Sequence, residues 1–125
     1  MSTNNADAEA RAGAVFEALA DPTRRAVLRN VAERGPVTAT ELATVLPITR
    51  QAIAKHLVVL RDAGLVEQER AGRETRFTAQ PAALAAAGQW LMATGSAWDD
   101  RLARLARRAE AKRSRGSGPN GVRAR

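Results

Sequence analysis

Two short helices joined by a tight turn are encoded in residues 38–64, which read TATELATVLPITRQAIAKHLVVLRDAG. Thr38 and Glu41 have the spacing of a capping box, in which each side chain accepts a hydrogen bond from the other residue's backbone N–H. The box predicts a short helix over residues 39–46, and Pro47 ends it because proline cannot continue a helix. The first half of a two-helix motif is therefore expected here.

The second helix of the pair follows the turn, and Thr49 is its candidate N-cap. Its apolar residues recur at i, i+4 and i+7, which is the spacing of one buried helix face. These residues are Ile53, Leu57 and Leu60. Gly64 is the expected C-terminal stop. A short helix, a tight turn and a second helix with a polar outer face are typical of a helix-turn-helix.

Two further helices are predicted before this motif. The first covers residues 8–20 and carries an apolar stripe along one side. The second begins at Pro22 with Asp21 as its N-cap, since the N–H that proline lacks has no partner in a first helical turn. Gly35, which is followed by another proline, ends this helix.

The residues after the motif predict a β-hairpin and a long final helix. Two strands, residues 65–70 and 73–78, flank Gly72 at the turn, and a hairpin in this position is called a wing. From Pro81 onward, apolar or small residues alternate at spacings of four and three, which is the seam of a heptad repeat. The seam consists of Leu84, Gly88, Leu91, Gly95, Trp98, Leu102, Leu105 and Ala109.

The composition predicts one folded domain that is mainly helical. The chain has 125 residues, of which 45% are hydrophobic, enough for one modest core. Aromatic residues make up only 3%, so this core must consist of aliphatic side chains and alanine, which favours helices. We expect a mainly α fold with a small β-hairpin wing, a winged helix-turn-helix over residues 8–112. Residues 1–7 and 113–125 are expected to be flexible termini.

Residue counts exclude the main kinds of catalytic and metal site. The chain has no cysteine and a single histidine, His56. Thiol catalysis and thiolate metal sites are therefore excluded, and zinc would lack the three or four thiolate or imidazole ligands that it needs. We expect no enzyme activity, no cofactor and no metal. No stretch approaches the roughly 20 apolar residues of a membrane span, so we expect a cytoplasmic protein without a membrane partner.

The net charge of +7 is concentrated near the C-terminus. Residues 101–125 contain nine basic side chains and one acid, Glu110, which leaves residues 1–100 close to neutral. A solvated basic tail explains this distribution as well as DNA binding does. The case for nucleic acid therefore depends on the local arrangement of side chains.

The N-terminal half of the helix capped by Thr49 carries side chains that can read base edges. Arg50 can pair with guanine, Gln51 with adenine, and Lys55 with guanine or a phosphate. A polar helix face is often merely solvated, but the position of this helix before a wing favours DNA. His56 lies beside the core face, where packing or a phosphate hydrogen bond would suit it. The predicted DNA-binding residues of this helix are Thr49, Arg50, Gln51, Ala54, Lys55 and His56.

Arginines also surround the predicted hairpin turn. Arg70 and Arg73 flank it and Arg76 lies further along the second strand, where long cations can enter the minor groove or hold phosphates. A charged edge strand also protects against aggregation, which is the alternative role for these residues. Arg73, beside the turn glycine, is the best candidate for DNA, with Arg70 as the second.

The first helix and the heptad seam predict a two-fold interface. Two glycines inside a helix cost roughly 1 kcal/mol each relative to alanine, and close approach of a partner helix would offset that cost. The alternative is that the last helix packs on its own domain. The predicted dimerisation residues are Val15, Phe16, Leu19, Leu84, Leu91, Trp98, Leu102 and Leu105.

Four segments resemble the signature segments of the ArsR-type winged-helix repressors, in the same order. They are residues 18–25 (ALADPTRR), 41–43 (ELA), 52–57 (AIAKHL) and 60–66 (LRDAGLV). The resemblance covers about residues 12–105. The Trp90-Leu91 pair and the Trp98-x-x-Arg101-Leu102 pattern resemble a metal-independent subgroup of that family.

The resemblance implies a homodimer with the element order α1-α2-α3-α4-β-β-α5, where the four helices before the hairpin are those predicted above. It implies that α4 reads the major groove, that the wing touches the flanks, and that a ligand or partner relieves repression. It places Thr49, Arg50, Gln51, Lys55 and His56 against DNA, with Arg73 as the wing arginine.

The sequence departs from the family pattern at three places. Thr38 and Thr40 stand where the family's metal box has cysteines, and the histidines of its second metal site are absent. Gln51 and Ala54 stand where many members have serine or proline in the helix that reads DNA. The operator sequence therefore cannot be transferred from relatives.

The expected function is a sequence-specific transcriptional regulator, most simply a repressor, that binds an inverted-repeat operator in double-stranded DNA as a homodimer. One alternative is a non-specific nucleoid-type DNA binder driven by the arginine-rich tail. The other is a winged helix used as a protein-interaction module. No residue pattern identifies an effector ligand.

Overall fold

A computed structural model describes the backbone of residues 2–115 and the side chains of residues 5–97, 99–100 and 102–112. The elements in chain order are α1 (Ser2–Ala18), α2 (Pro22–Arg34), β1 (Val37–Thr38), α3 (Ala39–Ala43), α4 (Arg50–Asp62), β2 (Val66–Ala71), β3 (Glu74–Ala79) and α5 (Pro81–Arg115). The described residues up to Trp90 form one compact unit, and those from Leu91 onward form a second. The predicted fold class, a mainly helical winged helix-turn-helix, is confirmed.

The first and last helices are longer than predicted, α1 at its N-terminal end and α5 at its C-terminal end. α1 begins at Ser2, earlier than the predicted start at residue 8, because no proline or glycine interrupts the chain before Gly13. The segment 1–7, predicted to be flexible, is therefore helical from its second residue. α5 reaches Arg115, past the predicted domain end at residue 112. The flexibility predicted for residues 116–125 concerns residues outside the described part of the chain.

α2 begins and ends where predicted. The carboxylate of Asp21 accepts hydrogen bonds from the N–H of Thr23 at 2.8 Å and of Arg24 at 3.4 Å. At the other end, the Gly35 N–H donates to the Val31 carbonyl at 2.8 Å. A Cβ added at Gly35 would lie 2.7 Å from that oxygen, so this close approach requires glycine.

The capping box predicted for α3 is present. The Glu41 N–H donates to Thr38 Oγ1 at 3.0 Å, and the Thr38 N–H donates to the Glu41 carboxylate at 2.9 Å. α3 nevertheless ends at Ala43, earlier than predicted. The N–H groups of Thr44 and Val45 donate to carbonyls three residues back, at 3.1 Å each, so the chain tightens into a turn before the proline.

The predicted caps of α4 are confirmed. Thr49 Oγ1 accepts a hydrogen bond from the N–H three residues further on at 3.1 Å. Gly64 follows the helix with a left-handed φ of 82°. Its N–H donates to the Arg61 carbonyl and the Leu65 N–H to the Leu60 carbonyl, at 2.9 Å each, which is a Schellman motif. The chain therefore turns sharply from α4 into β2.

The predicted hairpin is present and belongs to a three-stranded antiparallel sheet. β2 and β3 are joined at Gly72 and Arg73, and the positive φ of Gly72, 66°, suits a two-residue turn. β1 pairs with the other edge of β3, with Val37 opposite Phe77, so the strand order is β1-β3-β2. β1 was not predicted, because two residues are too short for a strand pattern.

The core of the first unit is aliphatic, as the composition predicts. It consists of Ala12, Val15, Ala18, Val27, Val31, Val37, Leu42, Ile53, Leu57, Leu60, Leu65, Val66, Phe77 and Ala87. The three inward residues predicted for α4 are all buried. Val15 is only 1% exposed, so its prediction as a dimerisation residue is wrong. A buried side chain has no surface left for a partner.

Candidate nucleic-acid interface

The first two turns of α4 present an open polar face. Arg50, Gln51 and Lys55 are exposed there together with the small Ala54, while the opposite side of the helix lies in the core. A shallow depression on this face is lined by Thr49, Gln51, Ala52, Ala54 and Lys55. Five of the six residues predicted on this helix therefore lie on one accessible surface.

A cleft of about 560 Å³ separates α4 from the wing, which we define as β2, β3 and the turn between them. One side chain from each successive turn of α4 lines the cleft, in the order Arg50, Ala54 and Val58. From the wing it is lined by Gln68, Arg73, Glu74, Thr75 and Phe77, and residues 38–41 line it from β1 and α3. The structure thus brings Arg50 and Arg73, which the sequence predicted from separate segments, to the same cleft.

Three cations at this surface have no counterion among the described residues. The side chains of Arg50, Lys55 and Arg73 make no hydrogen bond or ion pair to another residue in the part of the chain that the structure describes. All three are exposed. Their charges are therefore available to an external anion.

The other two wing arginines are engaged within the wing itself. Arg76 pairs with Glu74 at 2.9 Å, and this charged hydrogen bond raises the pKa of Arg76. The Arg70 Nε donates to the Gly72 carbonyl at 3.1 Å and so braces the hairpin turn. Of the three wing arginines, Arg73 alone is without a partner among the described residues.

His56 lies at the side of α4 and is half-buried. Its Nδ1 accepts a hydrogen bond from the Nε of Arg24, on α2, at 3.4 Å. His56 is predicted from the sequence to face DNA, and its internal partner Arg24 is not predicted. No local pattern could have revealed it, because the two residues are 32 positions apart.

Asp21 is the charged group beside this contact. The N–H of Thr23 donates to its carboxylate and holds the pKa of Asp21 below its ordinary value, with further lowering from the N–H and guanidinium of Arg24. Because the folded-state pKa is depressed, the cap contributes stability at neutral pH that is lost as the pH falls through the folded-state pKa. Asp21 is therefore a carboxylate under ordinary conditions.

Comparisons with known proteins agree with this geometry. A family profile described as a helix-turn-helix domain matches residues 19–69. YuzN of Bacillus subtilis, an uncharacterised HTH-type transcriptional regulator, is 52% identical over 66 residues, which cover 48% of this chain and 72% of that protein. The solved structure of an ArsR-like transcriptional regulator from Rhodococcus sp. RHA1 matches with a TM-score of 0.73 and 44% identity, over 81% of this chain and 94% of that one. The chain belongs to the ArsR family of winged helix-turn-helix transcriptional regulators.

Membership of the ArsR family makes this chain a DNA-binding transcriptional regulator and not an enzyme. The transcriptional repressor SdpR of Bacillus subtilis is also similar, with 30% identity over 62% of this chain and 86% of that protein. The matched residues 19–69 include α2, α3, α4 and most of β2. These elements build the face and one wall of the cleft described above.

Of the described residues predicted for dimerisation of this ArsR-family regulator, all but two are exposed. Val15 is buried and Leu19 is half-buried. The exposed fraction ranges from 38% for Phe16 to 56% for Leu102. The other members of this set are Leu84, Leu91 and Leu105. The side chain of Trp98 lies outside the described part of the chain.

No three His, Asp or Glu side chains cluster as a metal site among the described residues of this ArsR-family regulator. Thr38, one of the two threonines in the positions of the metal box, uses its Oγ1 to cap α3, and Thr40 is exposed. None of the described helices is both long and apolar enough to cross a membrane.

Proposed function

We propose that this ArsR-family regulator is a homodimeric repressor that binds an inverted-repeat operator in double-stranded DNA. The observation that carries the proposal is the shared cleft, with Arg50 on α4 and Arg73 on the wing, both without a counterion among the described residues. Two carboxylates also line the cleft, but Glu41 accepts from the Thr38 N–H and Glu74 pairs with Arg76. The cations on the two walls therefore suit a phosphate backbone that passes between α4 in the major groove and the wing at the flanking minor groove.

α4 supplies the base contacts in this proposal. Arg50 donates to guanine O6 and N7, Gln51 pairs with adenine, and Lys55 reaches guanine or a phosphate. Ala54 offers a methyl group that can contact the thymine methyl. All four are exposed in the N-terminal half of α4, which is the part of a recognition helix that contacts base edges.

Three neighbouring residues support these contacts. The Thr49 hydroxyl caps α4 and can still donate its proton to a phosphate. His56 accepts from Arg24 at Nδ1, which leaves an Nε2–H donor for a phosphate in the neutral ring. Arg70 braces the turn that carries Arg73.

Homodimerisation would cover the exposed seam of α5 together with Phe16 of α1. The rings of Phe16 and Trp90 lie 5.9 Å apart, so α1 and the first turns of α5 present a joined apolar surface. A Cβ added at Gly13 or Gly88 would meet no atom within 4 Å, so nothing near these positions in the described chain requires glycine. Close approach of a partner helix would explain both.

The proposal also includes the repressor role and the cellular location of the protein. SdpR, one of the similar proteins, is named a transcriptional repressor. A small DNA-binding dimer regulates most simply by occupying promoter DNA, and we expect such a protein to act in the cytoplasm. Residues 8–112 are the segment that we expect to carry both DNA binding and dimerisation.

Arg50→Ala is expected to weaken operator binding by about 1–3 kcal/mol and to relax base choice, because it removes a bidentate donor to a base. Binding to unrelated DNA should hardly change. Fluorescence anisotropy at fixed salt, with an operator selected from random duplexes and a scrambled duplex, measures both affinities.

Deletion of residues 114–125 is the matched comparison, since it removes cations that lie outside α4. It should lower non-specific affinity and leave base preference intact. If this deletion abolishes operator binding while Arg50→Ala has no effect, the protein is the non-specific DNA binder that the sequence left as an alternative.

Metal ions are expected to leave operator affinity unchanged within about twofold, because this chain has no thiolate and one imidazole per protomer. The measurement compares chelator with micromolar zinc, cadmium or arsenite at constant ionic strength. A tenfold loss of affinity on addition of one of these ions, reversed by chelator, would contradict this expectation.

A further inference from the structure

The guanidinium of Arg24, in the first turn of α2, joins three helices. Its Nη1 donates to the Ala18 carbonyl at the C-terminal end of α1 at 3.0 Å. Its Nη2 lies 3.5 Å from the carboxylate of Asp21, which caps α2. Its Nε donates to Nδ1 of His56 on α4 at 3.4 Å. One side chain therefore ties α4 to α1 and α2.

Two negative groups hold Arg24 at this junction. The carbonyls at the C-terminal end of α1 carry the negative end of the helix dipole, and Asp21 is a carboxylate. The Arg24 side chain is only 18% exposed, so water competes weakly for these contacts. Because the guanidinium is a planar, fixed fork, these contacts also fix the direction of the Nε–H toward His56.

We propose that Arg24 is a positioning residue that sets the orientation of α4 for operator recognition. The inference rests on the proposed function, in which α4 enters the major groove and α1 contributes Phe16 to the dimer surface. A link from the end of α1 through Arg24 to His56 connects that surface to the helix that reads DNA. The distance between the two reading helices of a dimer then depends on this link.

The geometry of an inverted repeat makes such a link useful. The two recognition helices of a dimer must contact half-sites whose centres are about 34–36 Å apart, one turn of DNA. Ile53 and Leu57 anchor the buried side of α4 whether or not Arg24 is present. The contact at His56 restrains the side of the helix next to its DNA-facing surface, where a small rotation would move every base contact.

A direct phosphate contact by Arg24 is the competing explanation for any loss of DNA binding. The two roles differ in salt dependence. Loss of a phosphate contact lowers the slope of log affinity against log salt by about one, whereas loss of a positioning contact leaves the slope unchanged. Half-site spacing provides a second distinction, because a phosphate contact adds affinity without selecting the distance between half-sites.

Arg24→Met tests the proposal, because it removes the guanidinium and keeps an unbranched side chain. Arg25→Met is the matched control, because it removes the same charge from the neighbouring residue. The Arg25 Nη1 donates to the Leu19 carbonyl at 2.6 Å, and its side chain makes no hydrogen bond or ion pair to α4 in the described part of the chain. Hydrogen exchange of the free proteins reports on α4 without DNA. Anisotropy over a range of salt, on operators with the natural spacing and with one added base pair, reports on recognition.

We expect Arg24→Met to speed amide exchange in α4 and to weaken binding to the natural operator about tenfold, the scale of a hydrogen bond to a charged group. The salt slope should stay the same, and the preference for the natural spacing should shrink. Arg25→Met should match the wild type in exchange and in spacing preference. His56→Ala should change amide exchange in α4 little further in the Arg24→Met background, since the two residues share one contact.

Unchanged exchange in α4 together with an unchanged spacing preference in Arg24→Met would overturn the proposal, as would a salt slope reduced by one. If Arg24→Met fails to fold, Arg24→Lys keeps the charge and loses the Nε contact, and the same readouts apply. Amide exchange in α4 could change in Arg24→Met while the wild-type protein selects no operator from random DNA. That result would support the restraint of α4 by Arg24 and contradict the proposed function.

Discussion

Leu102→Arg combined with Leu105→Arg is expected to convert the regulator to monomers and to weaken operator binding about 100-fold or more. Both leucines belong to the heptad seam of α5 and are at least half exposed in the single chain. Two charges in each protomer would have to be buried without partners in a dimer, which costs far more than the apolar contacts contribute. A monomer binds one half-site and loses the gain of two linked binding events, typically 10²–10⁴-fold.

Ala93→Arg combined with Ala111→Arg is the matched control, since it adds the same charge to the same helix. At 3.6 residues per turn, these alanines lie on the side of α5 opposite the two leucines, and both are exposed. Sedimentation at micromolar concentration and gel shifts on full and half operators measure the two outcomes. A wild-type monomer would refute the dimer, and a tight dimer of the leucine variant would refute the seam as its interface.

Leu57→Ala should lower the free energy of unfolding by about 2–5 kcal/mol, because it leaves a cavity in a packed core. Leu57 is fully buried on the inward side of α4, in the cluster that holds the helix-turn-helix together. A loss of this size is a large fraction of the total stability of a small domain. The melting temperature of the variant should therefore be lower than that of the wild type, and the variant should bind its operator only at temperatures well below it.

Val58→Ala is the control for this substitution, since Val58 is the next residue and is exposed. Its unfolding free energy should stay within about 0.5 kcal/mol of the wild type. Urea unfolding at several fixed protein concentrations measures both, because the stability of a dimer depends on concentration. Equal losses for the two variants would mean that α4 does not face the core as described.

The elements that the sequence predicted well depend on short-range signals. Asp21, Thr38 and Thr49 each accept hydrogen bonds from N–H groups two or three residues away, so their capping roles can be identified from the sequence alone. Gly72, whose positive φ suits the hairpin turn, can also be identified from the sequence alone. So can the buried residues of α4, from their regular spacing. These features need no knowledge of distant residues.

The candidate site was only partly predictable for the same reason. Arg50 and Arg73 were each identified from local context, one on a helix and one beside a turn. That they line one cleft depends on how the wing packs against α4. Arg76 differs from Arg73 because it pairs with Glu74, and a sequence does not show which arginine has such a counterion.

Local sequence patterns were enough to predict where most helices begin, which side of α4 is buried and where the hairpin turns. Three features required the folded protein: Val15 belongs to the core, Val37 pairs with Phe77, and Arg24 joins α1 and α2 to His56. Amphipathic periodicity shows which face of a helix is apolar, but it does not show what packs against that face. An apolar stripe can face either the protomer's own core or a partner. Contacts between residues tens of positions apart arise only when complete elements pack together, and that packing sets both the burial and the distances.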